Sequence, residues 1–417
     1  MTIYLEAVGR MKKETSLRTH IKEGFTDVFY VWYAENKLIF KDQAVIILFF
    51  LLPFGYPLIY SFIYNNEVVR DAALVVVDHD DSYVSREYTR RIDASPDVKV
   101  VSVCDDEEQA KRMLDEKKAY GYLILPSTFS ADMYKGKQAH ASLFSDMSCL
   151  LYYKAFRMAG VDASVSLLHD LARGTKSATT DEQQAIYIDP IPYETVATFN
   201  PQNGFAGFIL PAILIFIIHQ SLILGVSMLG GTHREKNTLH TLVPIMRHNR
   251  GTFRIVFGKA LAYFMIYILV TFWCLVVVPK LFVFPSLFDV QTLILFCIPY
   301  LFACIFLAMF ISCFIPNRES PMVLLVFTSL IFLFISGISW PKEMIPWYWK
   351  AFSYLLPATP GIQGFVRINT TGALLYDVSF EYQLLWIQTA FYFILTFFAY
   401  RRQVLLSHKK ELGLVSG

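Results

Sequence analysis

Apolar residues in this chain come in blocks. One block, Ala44 to Tyr64, lies early; a polar stretch of about 140 residues follows (65–204), and five more apolar blocks crowd the second half. A hydrocarbon core of roughly 30 Å takes about 20 apolar residues per helix. The pattern therefore predicts spans near 44–64, 205–229, 256–278, 292–314, 321–339 and 382–400, the fifth being short. One span, a large water-soluble insert and a five-helix bundle is a transporter-like layout, unlike a soluble enzyme with a tail anchor.

Before the first span, Phe25, Val28, Phe29, Trp32, Leu38 and Phe40 mostly fall at three- and four-residue steps among Asp27, Glu35, Asn36, Lys37 and Lys41. That spacing predicts an amphipathic helix in the membrane interface, with Tyr30, Trp32 and Tyr33 at headgroup depth. Thr2 to Lys22 is polar, so the first span is expected to act as an uncleaved anchor. Pro53, Gly55 and Pro57 lie within it. Proline frees backbone carbonyls, which in lipid need partners on neighbouring helices, so this span is expected to pack inside the bundle.

The insert alternates two periods. Strands are expected at Ala72–Val77, Val98–Val103, Tyr120–Leu125 and Gln138–Phe144. Helices are expected at Ser82–Ser95, Asp105–Ala119, Ser127–Tyr134 and Cys149–Arg173. Such alternation argues for a small α/β domain with parallel pairing. Pro190, Pro192 and Pro201 mark the return to the membrane.

Composition agrees with a membrane chain: 55% of residues are hydrophobic, 16% aromatic, and mean hydropathy is +0.42, too apolar for a soluble domain of 417 residues. Net charge is only +2, but Lys and Arg are unevenly placed: seven in 1–43, six in 230–259, one in 315–320 and four in 401–417. The short loops on the other side, 279–291 and 340–381, carry four together. The positive-inside rule then puts both termini in the cytoplasm and the insert outside. The insert's own balance of 15 basic against 22 acidic residues carries no vote, because long loops cross regardless of charge. Cys274, Cys297, Cys304 and Cys313 lie in apolar helices and read as packing residues; Cys104 and Cys149 lie in the insert, where a disulfide is chemically allowed.

Few motifs carry chemistry. The nearest approach to a phosphate-binding loop, Gly251 to Ala260, has six residues between its glycines and Ala260 after Lys259, and it runs straight into a span. It lacks the spacing that surrounds phosphate with amides and a lysine. Energy must come from a partner or an ion gradient. Asp78-His79-Asp80-Asp81 looks metal-like, yet it stands where a strand enters a helix, the place for caps and turns; no metal site is expected. His219, Gln220 and Ser221 lie near mid-depth of the second span, where polar groups face a cavity or a neighbouring helix: a substrate contact, a proton relay or a helix–helix hydrogen bond. Between the second and third spans, Arg234-Glu235-Lys236-Asn237-Thr238-Leu239 is a compact string that inside-positive charge does not explain, and a short helix is expected at 232–242.

In these motifs the chain resembles the membrane subunit of an ABC-2-type bacterial ABC transporter, the type V exporter architecture. The matching stretches are Glu35 to Pro53 with its Lys41-Asp42 step, Val75 to Ser82, Gly121 to Gly136, and Phe199-Asn200-Pro201. The string Arg234 to Leu239 matches the family's coupling helix, with Asn237 where Gly is usual. Ser336-Gly337 to Pro341, Ile345-Pro346-Trp347 and Ser353 to Pro357 resemble its re-entrant outer gate. The resemblance implies a six-helix polytopic protein with an extracytoplasmic α/β domain between the first and second helices. Its parts are a cytoplasmic N-terminus and elbow (1–43), helix one (44–64), the external domain (65–204), a five-helix bundle (205–400) and a cytoplasmic tail (401–417).

It also implies roles. Arg234, Glu235, Lys236, Asn237, Thr238 and Leu239 would dock a cytoplasmic ATPase, whose closure would tilt spans one, two and five; His219, Gln220 and Ser221 would line a substrate path; Gly337, Pro341, Pro346, Trp347, Pro357 and Pro360 would form the gate (337–364). The chain itself would bind no cofactor, with ATP and Mg held by the partner ATPase. A second copy or related permease, membrane lipid, a periplasmic adaptor and an outer-membrane channel are the further partners implied, with no nucleic acid. The setting is a Gram-negative inner membrane, and the cargo drugs or lipophilic molecules. A subunit that only transmits motion to periplasmic partners is the alternative, although four helices are usual there. A proton-driven carrier would need intramembrane carboxylates, and the six spans contain none as drawn. A receptor would need an output domain, and only 17 residues follow Tyr400.

Overall fold

Runs of apolar residues long enough to cross a bilayer become helices, and the polar insert between them becomes a sheet with helices on it. A computed structural model of the chain describes residues 17–64, 68–175, 200, 204–247 and 251–413. Phe199, Pro190, Pro192, Pro201 and Arg250 lie outside the described residues. The chain divides into two compact units, 1–65 with 206–417 and 66–205.

In the helical unit, α1 (Leu17–Lys41) ends at Asp42, whose carboxylate accepts from the amides of Ala44 (3.1 Å) and Val45 (3.4 Å) and so caps α2 (Gln43–Ile63). The expected helix before the first span is present and begins at Leu17, upstream of Phe25. Within α2, the turn Ile47–Leu51 before Pro53 widens to a π-helix. Pro57 has no amide to give the Pro53 carbonyl. That oxygen accepts instead from Cys274 Sγ (3.3 Å), and the Phe54 carbonyl accepts from Trp273 Nε1 (3.3 Å). Both donors lie at a second π-turn, Trp273–Val277, in the facing helix α9, so Cys274 does more than fill space. Gly225 allows a further close approach: a Cβ there would stand 1.9 Å from the Phe49 ring.

The remaining long helices are α7 (Phe205–Glu235), α9 (Gly251–Leu281), α10 (Val290–Ser312) and α14 (Ser379–Glu411), with the short α8 (Val243–Arg247) leading into α9. With α2 they make five, among the described residues, that are long and apolar enough to cross a membrane. The expected fifth span appears as α11 (Ser320–Ile335), a shorter apolar helix. Its 16 residues rise about 24 Å, less than the hydrocarbon thickness. Beyond it, α12 (Trp347–Ser353) and α13 (Ala358–Thr371) follow; the second runs past the expected gate boundary at 364 to a left-handed Gly372.

α10 and α14 run parallel, joined by a ladder with a seven-residue repeat. Thr389, Thr396 and Gln403 donate to the carbonyls of Pro299 (3.1 Å), Phe306 (2.8 Å) and Cys313 (2.7 Å). A seven-residue period keeps one seam facing one neighbour over several turns. Side-chain donors on that seam join helices where lipid offers no hydrophobic drive.

In the other unit, β1 (Ala72–Asp78), β2 (Val98–Cys104), β3 (Gly121–Leu125) and β4 (Ser142–Ser145) form, among the described residues, a sheet of order β2-β1-β3-β4. β1 pairs in parallel with β2 and β3 and is buried on both faces. Leu74 and Val76 enter one core with Val84, Tyr88 and Phe156; Val75 and Val77 enter a second with Ala110 and Tyr122. The helices are α3 (Tyr83–Asp93), α4 (Glu107–Asp115), α5 (Phe129–Tyr134) and α6 (Leu150–Thr175).

Two expectations change here. β4 is antiparallel to β3. The six residues of α5 rise about 9 Å against about 17 Å for β3, too little to carry the chain back beside it. The acidic helix stops at Asp115 rather than Ala119, because Lys117 turns left-handed (φ 57°) and Lys118 N bonds to Met113 O (2.9 Å). Cys104 and Cys149 are both free thiols. The Asp78 carboxylate accepts from the amides of Asp80 (3.0 Å) and Asp81 (3.1 Å) and from Ser85 Oγ (2.7 Å), the work of a turn and cap.

Gly225→Ala should destabilise the helical unit by about 1–3 kcal/mol through overpacking on Phe49. Thermal unfolding of the purified chain measures this, and Phe49→Leu in the same chain should recover part of the loss. An unchanged melting temperature in the single variant would refute the contact.

Candidate functional site

The segment expected as one helix at 232–242 is two pieces around a break. Thr232 to Glu235 are the last turn of α7. Asn237 then adopts the left-handed conformation (φ 49°, ψ 36°), and Thr238–Leu242 form a 3₁₀ turn. Asparagine tolerates that conformation better than most residues, which is why the chain bends there. The result is a knuckle exposing Glu235, Lys236 and Thr241.

The knuckle is anchored on several sides. Asn237 Nδ2 donates to Ser407 O (3.3 Å) and Ser407 Oγ donates to Asn237 Oδ1 (2.7 Å), fixing the bend to α14. Arg234 donates to the Cys313 carbonyl, and Glu235 Oε1 accepts from Arg318 N (2.8 Å). A Cβ on Gly231 would stand 2.4 Å from Asn317 O, so the loop after α10 lies directly on α7. Arg318 in turn pairs with Asp42 (2.5 Å), the cap of α2. Leu239 is half-buried against the core. His233 Nδ1 lies 2.6 Å from Thr238 Oγ1, bridging the break itself.

His233 also leads inward, to a cluster that the sequence did not reveal. Lys259 Nζ lies 2.5 Å from Glu35 Oε2 and 3.4 Å from His233 Nε2, with side chains only 2–3% exposed at the lysine and the glutamate. Tyr263 donates to the other Glu35 oxygen, and the ammonium stands 5.9 Å from the Tyr400 ring centre. A polar chain therefore runs Tyr263–Glu35–Lys259–His233–Thr238, from α1 and α9 to the knuckle. Gly258 permits the close crossing, since a Cβ there would meet Val28 O at 2.8 Å. Arg254 and Asp27 (2.6 Å) tie the same two helices again. Glu35 reads from sequence as part of the polar face of α1, and Lys259 as a loop cation. The available signals were the spacing Val31-Glu35-Ile39, which puts the carboxylate on the buried stripe, and Lys259-Tyr263 at i, i+4 at the start of an apolar run.

The other candidates are not gathered here. His219 is fully buried in α7, with neither ring nitrogen hydrogen-bonded among the described residues and the Phe216 ring stacked 6.3 Å away. Ser221 Oγ accepts from Tyr267 (3.1 Å) across to α9, a helix–helix hydrogen bond, and Gln220 is half-buried beside it. The gate residues separate. Pro341, Pro346 and Trp347 (80% exposed) are on the surface, whereas Pro357 and Pro360 are buried at the start of α13. Gly337 takes a positive φ of 87° after α11, and Gln363 donates to Ser336 O (3.1 Å), closing α13 onto that turn.

Burial by itself would push the Glu35 carboxyl up; the Lys259 ammonium and His233 beside it outweigh this and hold it below the usual carboxylate range. A lowered value means that the pair's contribution is complete above the unfolded carboxylate pKa and is lost only as pH falls through the folded one. Parental stability should therefore not fall through this group between about pH 8 and about pH 5. Lys259→Met should cost about 3–5 kcal/mol, because it strands a buried charge. Burial then dominates, Glu35 takes up a proton on folding, and this variant should gain stability as pH falls. Glu35→Gln with Lys259→Met should recover most of the loss. Unfolding in detergent across pH checks all three, and a Lys259→Met chain as stable as its parent would show that the pair holds nothing.

Comparison with known proteins bears on this geometry. Residues 44–398 match the family model described as ABC-2 family transporter protein. A shorter stretch is 31% identical over 109 residues to the linearmycin resistance permease protein LnrN of Bacillus subtilis (strain 168), covering 25% of this chain and 26% of that protein. The chain thus spans about a quarter of the length of the curated relative it matches. With the family model covering most of its length and long apolar helices to match, this chain belongs to the ABC-2 family of transporter proteins, as a multi-pass membrane permease subunit.

Proposed function

We propose that this chain is the membrane subunit of an ATP-driven exporter, and that a separate cytoplasmic ATPase drives it through the knuckle at 234–242. The observation that carries this reading is the anchoring of the bend. Its outer residues Glu235, Lys236 and Thr241 are exposed, while Asn237, Arg234 and His233 tie it to α14, to the loop after α10 and to the Glu35–Lys259 pair. A push on such a point moves whole helices instead of bending a loop. The bonds couple it to α2, α7 and α14, so the last long helix takes the part that the sequence assigns to the fifth span.

Basic residues cluster beside the knuckle and at both ends of the chain, which supports a cytoplasmic position for this face and an external one for the sheet unit. ATP and Mg are then held by the ATPase, and this chain contributes motion. Two such subunits, identical or related, line one path. Ile47, Leu51 and Phe62 on α2 present an exposed apolar face to lipid or to the second subunit. The turn at Gly337 and the helices α12 and α13 gate its outer end; irregular backbone at that depth persists only where protein or water surrounds it. The relative's name ties it to linearmycin resistance, and on that likeness the cargo is a lipophilic compound moved outward. A periplasmic adaptor and outer-membrane channel extend the route in a cell with two membranes.

Lys236→Glu with Thr241→Glu should weaken capture of the co-expressed ATPase by at least ~10-fold, with membrane insertion and permease stability unchanged. Both side chains are exposed and neither holds the bend through its charge, unlike Glu235, which also accepts from Arg318. Undiminished ATPase capture together with undiminished transport would overturn the assignment.

A further inference from the structure

The sheet unit contains a cleft of about 980 Å³ between the sheet, α5 and one stripe of α6. That is the upper end of the size range for small-molecule sites. Its floor is apolar: Leu123, Phe129, Phe156 and Leu167 are buried there. It is also long. The α6 stripe that lines it runs from Phe156 to Leu171, about 22 Å at the helical rise.

Its two ends differ in charge. Arg157, at the Phe156 end of the stripe, and Lys137, on the loop after α5, both line the cleft and are exposed, and neither side chain has an ion-pair or hydrogen-bond partner among the described residues. Near the other end, Asp170 is neutralised by its pair with Arg91, and Leu168 and Leu171 close the apolar run. Unpaired cations lining a long apolar trough complement a linear molecule with an anionic head.

We propose that this cleft binds a single-chain amphiphile with an acidic headgroup, such as a long-chain carboxylate, its head at Arg157 and Lys137 and its tail along α6. The inference rests on the sheet unit alone and is independent of the ATPase-coupling reading. The cleft selects for chain length through the depth of the apolar trough and for charge through the two cations. A neutral amphiphile gains only the first.

The test uses the full-length chain in lipid nanodiscs with a diazirine-bearing palmitate, adducts being mapped by mass spectrometry after illumination. Saturable adducts are expected on 156–171 and on the 135–141 loop, competed by unlabelled palmitate at least ~10-fold better than by hexadecanol. Lys137→Glu with Arg157→Glu, both on the surface, should lower those adducts ~10-fold. Gly160→Leu should block them by filling the cleft. A Cβ at Gly160 meets nothing closer than the Tyr88 hydroxyl at 3.7 Å, so the fold should tolerate the change. Adducts in the long apolar helices of the same sample should be unchanged in every variant and serve as the reference. No saturable adduct in the cleft, equal competition by the alcohol, or full labelling in the charge-reversed variant would each overturn the proposal.

Discussion

An ammonium and a carboxylate lie 2.5 Å apart between α1 and α9 with almost no contact with water. Removing both charges from solvent costs several kcal/mol per ion, and their attraction offsets this only when every remaining donor and acceptor is used. Here Tyr263 and His233 supply the additional contacts and the Tyr400 ring stands near the ammonium. A hydrophobic pair would hold the two helices as well, or better. What the ion pair adds is a unique registration: α1 can slide along α9 only by exposing or stranding a charge. Arg254 and Asp27 repeat the constraint two turns away. The helix before the first span is thereby fixed to the bundle, although its outer face of Phe25, Phe29 and Phe40 remains exposed.

That registration reaches the knuckle because His233 belongs to both systems. One ring nitrogen faces Thr238 across the break and the other faces Lys259. Asn237, the residue that bends the chain, is the one held by Ser407 of α14. α14 in turn is joined to α10 by Thr389, Thr396 and Gln403, three rungs across two heptads. Stiff joints therefore extend from a small exposed surface to most of the long helices.

Much of this arrangement was legible in the sequence, and the parts that were not have physical causes. Apolar blocks located the long helices, because burial in hydrocarbon imposes length. Period-two runs located β1, β2 and β3, and the Asp78 cluster read correctly as a cap, because both depend on neighbours within a few residues. The direction of β4 did not, since it depends on how far a six-residue helix can carry the chain. The bend at Asn237 was half visible: the residue's tolerance for the left-handed region was evident, but not that the chain would use it to end α7. Glu35 and Lys259 were the least legible. They lie 224 residues apart in sequence, each looks ordinary beside its own neighbours, and only their pairing makes either one tolerable inside a bundle.

The placement of the polar groups also constrains how this unit can move. If the joint at the knuckle were apolar, tilting α7 would merely trade one set of contacts for another, and the helices could stop anywhere between. With Lys259 shared between Glu35 and His233, a tilt must either keep the ammonium on one of these partners or leave it unpaired in a low-dielectric interior. Intermediate positions are penalised steeply and the end positions are not. The same logic applies at Asn237, which holds Ser407 through both that residue's backbone and its side chain. A network of this type favours two discrete arrangements over a continuum, which the proposed drive by a separate ATPase would require.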